Sequence, residues 1–222
     1  MKLTLLDYPG KVACTVFLQG CNFRCPFCHN ASLVRCDGDE MGVEEFIKFI
    51  KSRFGILDGV CVTGGEPTLF PELYDFIKEI KSIGYSVKLD TNGTNPEMLK
   101  RLIDDKLVDF VAMDIKNSPE KYPLTCGVDL NFENIRESIK LLSDSGIAFE
   151  FRTTVVKELH EDRDFEEIGK LISGAPRYFL QCFKDSGDIL ADGMSAPSDS
   201  DMRRYLAVVK KHIPSAKLRG ID

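Results

Sequence analysis

A chain of 222 residues with 43% hydrophobic content can bury a full core, and it fits one α/β domain spanning 1–222, because such barrels run past about 200 residues as single units. The formal net charge is -6, with 29 basic residues scattered among 35 acidic ones, which argues against a nucleic-acid groove. No apolar run approaches the ~20 residues of a membrane span, and the start "MKLTLLDYPGK" carries no export cleavage site, so the expectation is a cytoplasmic protein with neither a membrane nor a nucleic-acid partner.

Strands and helices alternate along the chain. The stretch 11–20, "KVACTVFLQG", reads as a buried strand, 43–54 has helical spacing with acids at its start, and 59–65, "GVCVTGG", is a second short apolar strand. A helix over 71–84 opens at Pro71 and closes at Gly84. A strand over 85–93, a helix over 96–103, a strand over 108–116, a helix over 131–146, a strand over 147–156, a helix over 163–173 and a strand over 177–183 follow. These make about six β/α units at the ~30-residue spacing of a βαβ repeat. Short apolar strands joined by helices imply a parallel sheet covered on its outer face, and the expected fold is a partial (β/α)6 TIM-like barrel. The amphipathic stretch 198–212 predicts a last helix closing the open edge, and the polar, glycine-containing stretch 184–201 before it suits a mobile flap.

In parallel barrels the functional groups sit on loops leaving the carboxyl ends of the strands. Nearly every such end here carries a polar cluster: Cys21, Cys25 and Cys28 after the first strand, "GGEPT" (64–68) after the second, and "DTNG" (90–93) after the third. Asp114 and Lys116 follow the fourth, Arg152 and Thr153 lie near the end of the fifth, and Gln181 near the end of the sixth. Each alone has an ordinary explanation as a turn glycine, a cap or a solvated charge. Their placement at successive strand ends predicts one shared mouth.

Three of the eight cysteines fall within positions 21–28, which in a reducing compartment points to metal or redox chemistry. A zinc site could count Cys21, Cys25, Cys28 and His29, but adjacent residues rarely both ligate one tetrahedral ion. A four-iron cluster normally takes four thiolates, so three leave one iron open to a ligand. Cys14, Cys61 and Cys182 fall in strand patterns and read as small core residues. Cys36 and Cys126 have no assigned role.

Cys21-x3-Cys25-x2-Cys28, with Phe27 just before the last cysteine and a downstream "GGE", resembles the signature of radical S-adenosylmethionine (radical SAM) enzymes. Together with "LLDYPGKVACTVFLQGCNFRCPFCHN", "TGGEPTL", "DTNG", "MDIK" and "KLRGID", it is similar to the activating proteins of glycyl-radical enzymes, most closely those of anaerobic ribonucleoside-triphosphate reductase. The resemblance implies one 4Fe-4S cluster on Cys21, Cys25 and Cys28, and S-adenosylmethionine (SAM) chelating the open iron. It places SAM against Phe27, Gly64, Gly65, Glu66, Asn92, Lys116 and Arg152. It further implies a glycyl-radical enzyme as protein substrate and a low-potential electron donor such as flavodoxin or ferredoxin. Resemblance to the pyruvate formate-lyase activator supports a monovalent cation site of Asp90, Thr91, Met113 (through its carbonyl) and Asp114, since two carboxylates ending adjacent strands repel unless a proton or cation lies between them. Other expected readings are an activator of a different glycyl-radical enzyme such as pyruvate formate-lyase, a radical SAM enzyme acting on a small molecule, and a non-enzymatic iron-sulfur or zinc module.

Overall fold

The computed structural model describes residues 2–4, 7–38, 40–185 and 187–221. Leu5 and Leu6 of the first motif, Ser186 of the expected flap and Asp222 of the last motif lie outside these residues.

One sheet organises the chain. Its strands are β1 (Lys2–Thr4), β2 (Ala13–Leu18), β3 (Gly59–Gly64), β4 (Ser86–Thr91), β5 (Phe110–Asp114), β6 (Ala148–Val155), β7 (Tyr178–Cys182) and β8 (Lys217–Arg219). They lie side by side in chain order. β1 runs antiparallel to β2, whereas β2 to β8 are all parallel to their neighbours. β1 and β8 end the sheet without pairing to each other, so the barrel is partial, as the sequence predicts.

The helices are α1 (Ala31–Arg35), α2 (Val43–Ser52), α3 (Leu73–Ile83), α4 (Pro96–Asp104), α5 (Tyr122–Cys126), α6 (Phe132–Ser145), α7 (Asp162–Leu171) and α8 (Asp199–Val209). Each long one shows why its segment is helical. In α3 the buried residues Leu73, Phe76, Ile77 and Ile80 recur at the spacing of one helix face. The helix stops at Gly84, whose φ of 106° suits only a residue without Cβ. α4 begins with Pro96, and the Asn95 side chain accepts the Met98 N–H at 3.1 Å, satisfying a donor that no helical carbonyl reaches. No helix among the described residues is long and apolar enough to cross a membrane.

The last helix differs from expectation. α8 packs on α7 and leads into β8, which pairs in parallel with β7. It is thus a crossover to a seventh parallel strand, which itself forms the edge. Three-residue strands such as β1 and β8 are too short to show a period of two, which is why the sequence did not reveal them. The stretch after β7 is also tied down. Ala191 N donates to Pro26 O at 3.0 Å, Lys157 N to Ser195 O at 3.0 Å, and Asp188 accepts from Ser32 N, Ser32 Oγ and Arg35. The described part of the expected flap is therefore strapped to α1, the 21–28 loop and the loop after β6.

Strand alternation divides the sheet residues between two environments. Outward residues such as Val60, Val62, Leu89, Val111 and Phe151 join the core under the helices. Inward, a separate apolar group of Tyr8, Ala13, Phe110 and Ala112 sits at the amino ends of β2 and β5. Toward the carboxyl ends the inward positions turn polar: Lys88 and Asp90 on β4, Asp114 on β5, and Glu150, Arg152 and Thr154 on β6.

Candidate active site

The loop after β2 carries three cysteines because its backbone is held at several points. Gly20 N donates to Leu33 O at 2.9 Å, Arg24 N to Cys126 O at 2.7 Å, and Cys28 N to Cys25 O at 3.0 Å. The Arg24 side chain folds back onto the carbonyls of Cys21 and Phe23 at 2.6 and 2.8 Å. The three thiols then line one pocket together with Phe27. Cys25 is 6% exposed and Phe27 4%, while Cys21 and Cys28 are half-buried. Burial pushes the Cys21 thiol up to about 11 and raises Cys28 in the same way, so as thiols they need a cation to lower them.

Among the described residues, no three His, Cys, Asp or Glu side chains are grouped to hold a single metal ion. A closed zinc site would require that convergence. A four-iron cluster does not, since each cysteine ligates a different iron. Three thiols lining one pocket are the donor set that a four-iron cluster with one open iron takes. Cys36 is exposed at the end of α1 and does not line this pocket.

β3 delivers Gly64, Gly65 and Glu66 to the same pocket. The glycines are required by the neighbouring chain. A Cβ on Gly64 would lie 2.1 Å from Leu18 O, with φ at 129°, and one on Gly65 would lie 2.0 Å from Gly20 O. Both are thus locked against the segment that leads into the cysteine loop. We expect Gly65→Ala to displace that loop, losing most of the bound iron and about 1–3 kcal/mol of stability; iron analysis and urea unfolding check both.

Glu66 is 1% exposed. Its Oε1 accepts from Thr68 N at 3.0 Å, Thr68 Oγ1 at 2.6 Å and Thr91 Oγ1 at 2.7 Å, and its Oε2 accepts from Asn92 N at 2.5 Å. Burial pushes this carboxyl up, and those hydrogen bonds oppose the shift. The role of an acid before Pro67, capping the short 3-10 turn Pro67–Leu69, is therefore fulfilled, and the same carboxylate joins the ends of β3 and β4. Only Oε2 retains room for a further donor. Asn92 is similarly engaged: its amide donates to Asn22 Oδ1 at 2.9 Å and accepts from Thr94 N at 3.0 Å, tying β4 to the cysteine loop.

Below these residues an ion-pair chain crosses the barrel. Arg152 donates from Nη1 to Asp90 at 3.2 Å and from Nε to Asp114 at 3.0 Å. Lys116 Nζ lies 2.9 Å from Asp114, and Lys88 pairs with Asp90. Burial alone would raise the Asp114 carboxyl, but Arg152 and Lys116 outweigh it and hold it well below the usual carboxylate range. Burial would likewise lower Lys116 and Arg152, and the neighbouring carboxylates reverse this, so both cations stay charged. The guanidinium of Arg152 thus bridges Asp90 and Asp114, the two carboxylates of the expected cation site. Thr91 is committed to Glu66, and Met113 is fully buried and does not line the pocket.

The depressed Asp114 gives a pH prediction. A carboxyl held below its unfolded value stabilises the fold at pH above that value, and the stability is lost as pH falls through the carboxylate range. Asp114 keeps 32% of its side chain exposed, so solvent screening limits the gain. The wild type should exceed Asp114→Asn by about 1–2 kcal/mol at pH 7, and urea unfolding near pH 3 should find the difference largely gone.

The pocket collects every expected site residue except Met113. Gln181 lies instead in adjoining cavities beside Arg219 and Gly220. Thr153 faces the other way, donating to Ile115 O at 2.7 Å, and Thr154 takes the inward position. Lys88, Glu150 and Arg219 were missed. Glu150 accepts both Arg219 nitrogens at 2.9 and 3.0 Å. Polar residues two apart within apolar strands, Lys88 with Asp90 and Glu150 with Arg152, were the signal available.

The Radical SAM superfamily model matches residues 15–172. A Methanocaldococcus jannaschii protein provisionally named a glycyl-radical enzyme activating enzyme is 34% identical over 99% of this chain and 94% of its own. The pyruvate formate-lyase-activating enzyme of Clostridium pasteurianum is 30% identical over 75% of this chain and 70% of its own. Among solved structures, Streptococcus suis SuiB bound to its precursor peptide SuiA aligns with a TM-score of 0.74 at 14% identity, over 94% of this chain and 48% of that one, a likeness of fold. The chain belongs to the radical SAM superfamily and, within it, to the glycyl-radical-enzyme activating proteins.

Proposed function

We propose that this radical SAM enzyme installs a glycyl radical on anaerobic ribonucleoside-triphosphate reductase. Cys21, Cys25 and Cys28 would hold a single 4Fe-4S cluster, the backbone of Gly64 and Gly65 with Glu66 Oε2 would face the amino group of SAM, and the Phe27 ring would flank its adenine. Asn92, Lys116 and Arg152 complete the wall, with Lys116 ion-paired to Asp114 and Arg152 to Asp90 and Asp114. The reduced cluster and SAM together supply a 5′-deoxyadenosyl radical, reactive enough to take a hydrogen atom from a peptide glycine Cα. The protein's part is to hold that chemistry away from water and to admit the glycine.

The observation that carries this reading is the similarity to an activating protein along nearly the full length of both chains. The geometry supports it through the gap between the sheet edges. Asp7 and Pro9 after β1, and Arg219 and Gly220 at β8, line a cavity that shares Asp90 and Arg152 with the cysteine pocket. An extended peptide entering there would meet the strand ends. A low-potential flavodoxin or ferredoxin is the proposed electron donor.

The choice of reductase rests on the motifs that begin at "LLDYPGK" and end at "KLRGID"; the similarity to a pyruvate formate-lyase-activating enzyme favours that lyase as the second reading. Reduced protein and SAM, incubated anaerobically with each enzyme in turn, should give a glycyl-radical doublet in electron paramagnetic resonance with the reductase. A doublet with the lyase alone would assign the second reading.

A further inference from the structure

Gln181 lies near the carboxyl end of β7, outside the cysteine pocket. Leu180 before it joins the core under the helices, so strand alternation turns Gln181 inward. The registers of β6, β7 and β8 set Thr154, Gln181 and Arg219 side by side. Thr154 lines the cysteine pocket, and Gln181 and Arg219 together line both adjoining cavities. The row thus leads from that pocket to the gap at the sheet edge. Its two outer members both offer hydrogen bonds to a ligand. Among the described residues no hydrogen bond engages the Gln181 side-chain amide, which keeps both its donor and its acceptor. Arg219 is held in one plane: Nη1 and Nη2 donate to the buried Glu150 at 2.9 and 3.0 Å, and the guanidinium lies 3.4 Å from the centre of the Phe179 ring. Glu150 takes one N–H from each of those nitrogens, so Nε–H remains for a ligand.

We propose that Gln181 and Arg219 bind the main chain of the substrate peptide beside the reacting glycine, Gln181 pairing with one peptide unit and Arg219 donating to a carbonyl. This deepens, and rests on, the reading of the protein as an activator of a glycyl-radical enzyme. A glutamine amide presents N–H and C=O in the geometry of a peptide group, so the two can exchange both hydrogen bonds. Such recognition reads backbone and requires no side chain, which suits a glycine. Charge points the same way. The cavity at the gap sets Asp7, Asp90 and Glu150 against Lys88, Arg152 and Arg219. Negative and positive groups balance there, so a small anionic substrate meets no net attraction, whereas a neutral, polar main chain finds both donors and acceptors.

The test measures the initial rate of glycyl-radical formation by electron paramagnetic resonance, first against the concentration of the reductase or the lyase and then against that of SAM. Gln181→Leu keeps the bulk and removes the amide. It should lower kcat/KM for the protein substrate about tenfold, as loss of one pair of hydrogen bonds would, while moving the half-saturating SAM concentration less than about twofold. Arg219→Lys keeps the charge and loses the planar fork, and should shift kcat/KM in the same direction. Two variants that use the protein substrate as wild type does would overturn the proposal. A half-saturating SAM concentration that rises as much as kcat/KM falls would also overturn it, because the residues would then serve the cofactor or the fold. If wild type forms no doublet with either enzyme, the activator reading fails and this inference with it; wild-type doublets with unshifted variants defeat this inference alone.

Discussion

Alanine at any one of Cys21, Cys25 or Cys28 is expected to remove the four-iron cluster and reduce SAM cleavage to background. All three thiols line one pocket, and each would hold a separate iron. Cys14 and Cys61 are fully buried in strands β2 and β3. Cys36 lies exposed at the end of α1, so Cys36→Ala should keep both iron and activity. Anaerobic reconstitution followed by iron and sulfide analysis decides the matter. An Ala variant of a motif cysteine with full iron, or loss of the cluster in Cys36→Ala, would contradict the ligand assignment.

Glu66→Ala should be the most destabilising substitution outside the cysteines. The carboxylate is 1% exposed and accepts four hydrogen bonds, from Thr68 N, Thr68 Oγ1, Thr91 Oγ1 and Asn92 N. Removing it strands those donors where water cannot easily replace it, and each buried unsatisfied group costs about 1–3 kcal/mol. Allowing for relaxation, the expected loss is about 3–5 kcal/mol, a large share of the 5–15 kcal/mol typical of a folded domain. Thr91→Val removes one of the four bonds and should cost about 1 kcal/mol. Urea unfolding of both variants before reconstitution measures this. A Glu66→Ala protein within about 1 kcal/mol of wild type would show that the carboxylate is not the brace between β3 and β4.

The sequence carried the architecture because the helices and most strands are long enough for periodicity to show. The 71–84 helix and the 59–65 strand fall within two residues of α3 and β3. It carried the location of the site as well, since strand ends in a parallel barrel share one mouth. What it could not carry was which atoms meet. Asp90 and Asp114 were legible as neighbouring acids, but not that Arg152 reaches both. The glycines of "GGE" were legible as places of close approach, but the approaching backbone is that of Leu18 and Gly20, not only of a ligand. Thr153 and Thr154 differ by one position, and only the register of β6 decides which faces inward.

If this pocket directs SAM-derived radical chemistry at a peptide glycine, the abstracted Cα hydrogen ends in 5′-deoxyadenosine. The most direct test uses a glycyl-radical enzyme partner made with glycine deuterated at Cα, mixed anaerobically with reduced protein and SAM. Mass spectrometry of the 5′-deoxyadenosine should find one deuterium transferred as the glycyl-radical doublet grows. Cleavage of SAM with neither deuterium transfer nor a doublet, for the reductase and the lyase alike, would rule out a peptide glycine as the hydrogen donor and favour a small-molecule substrate.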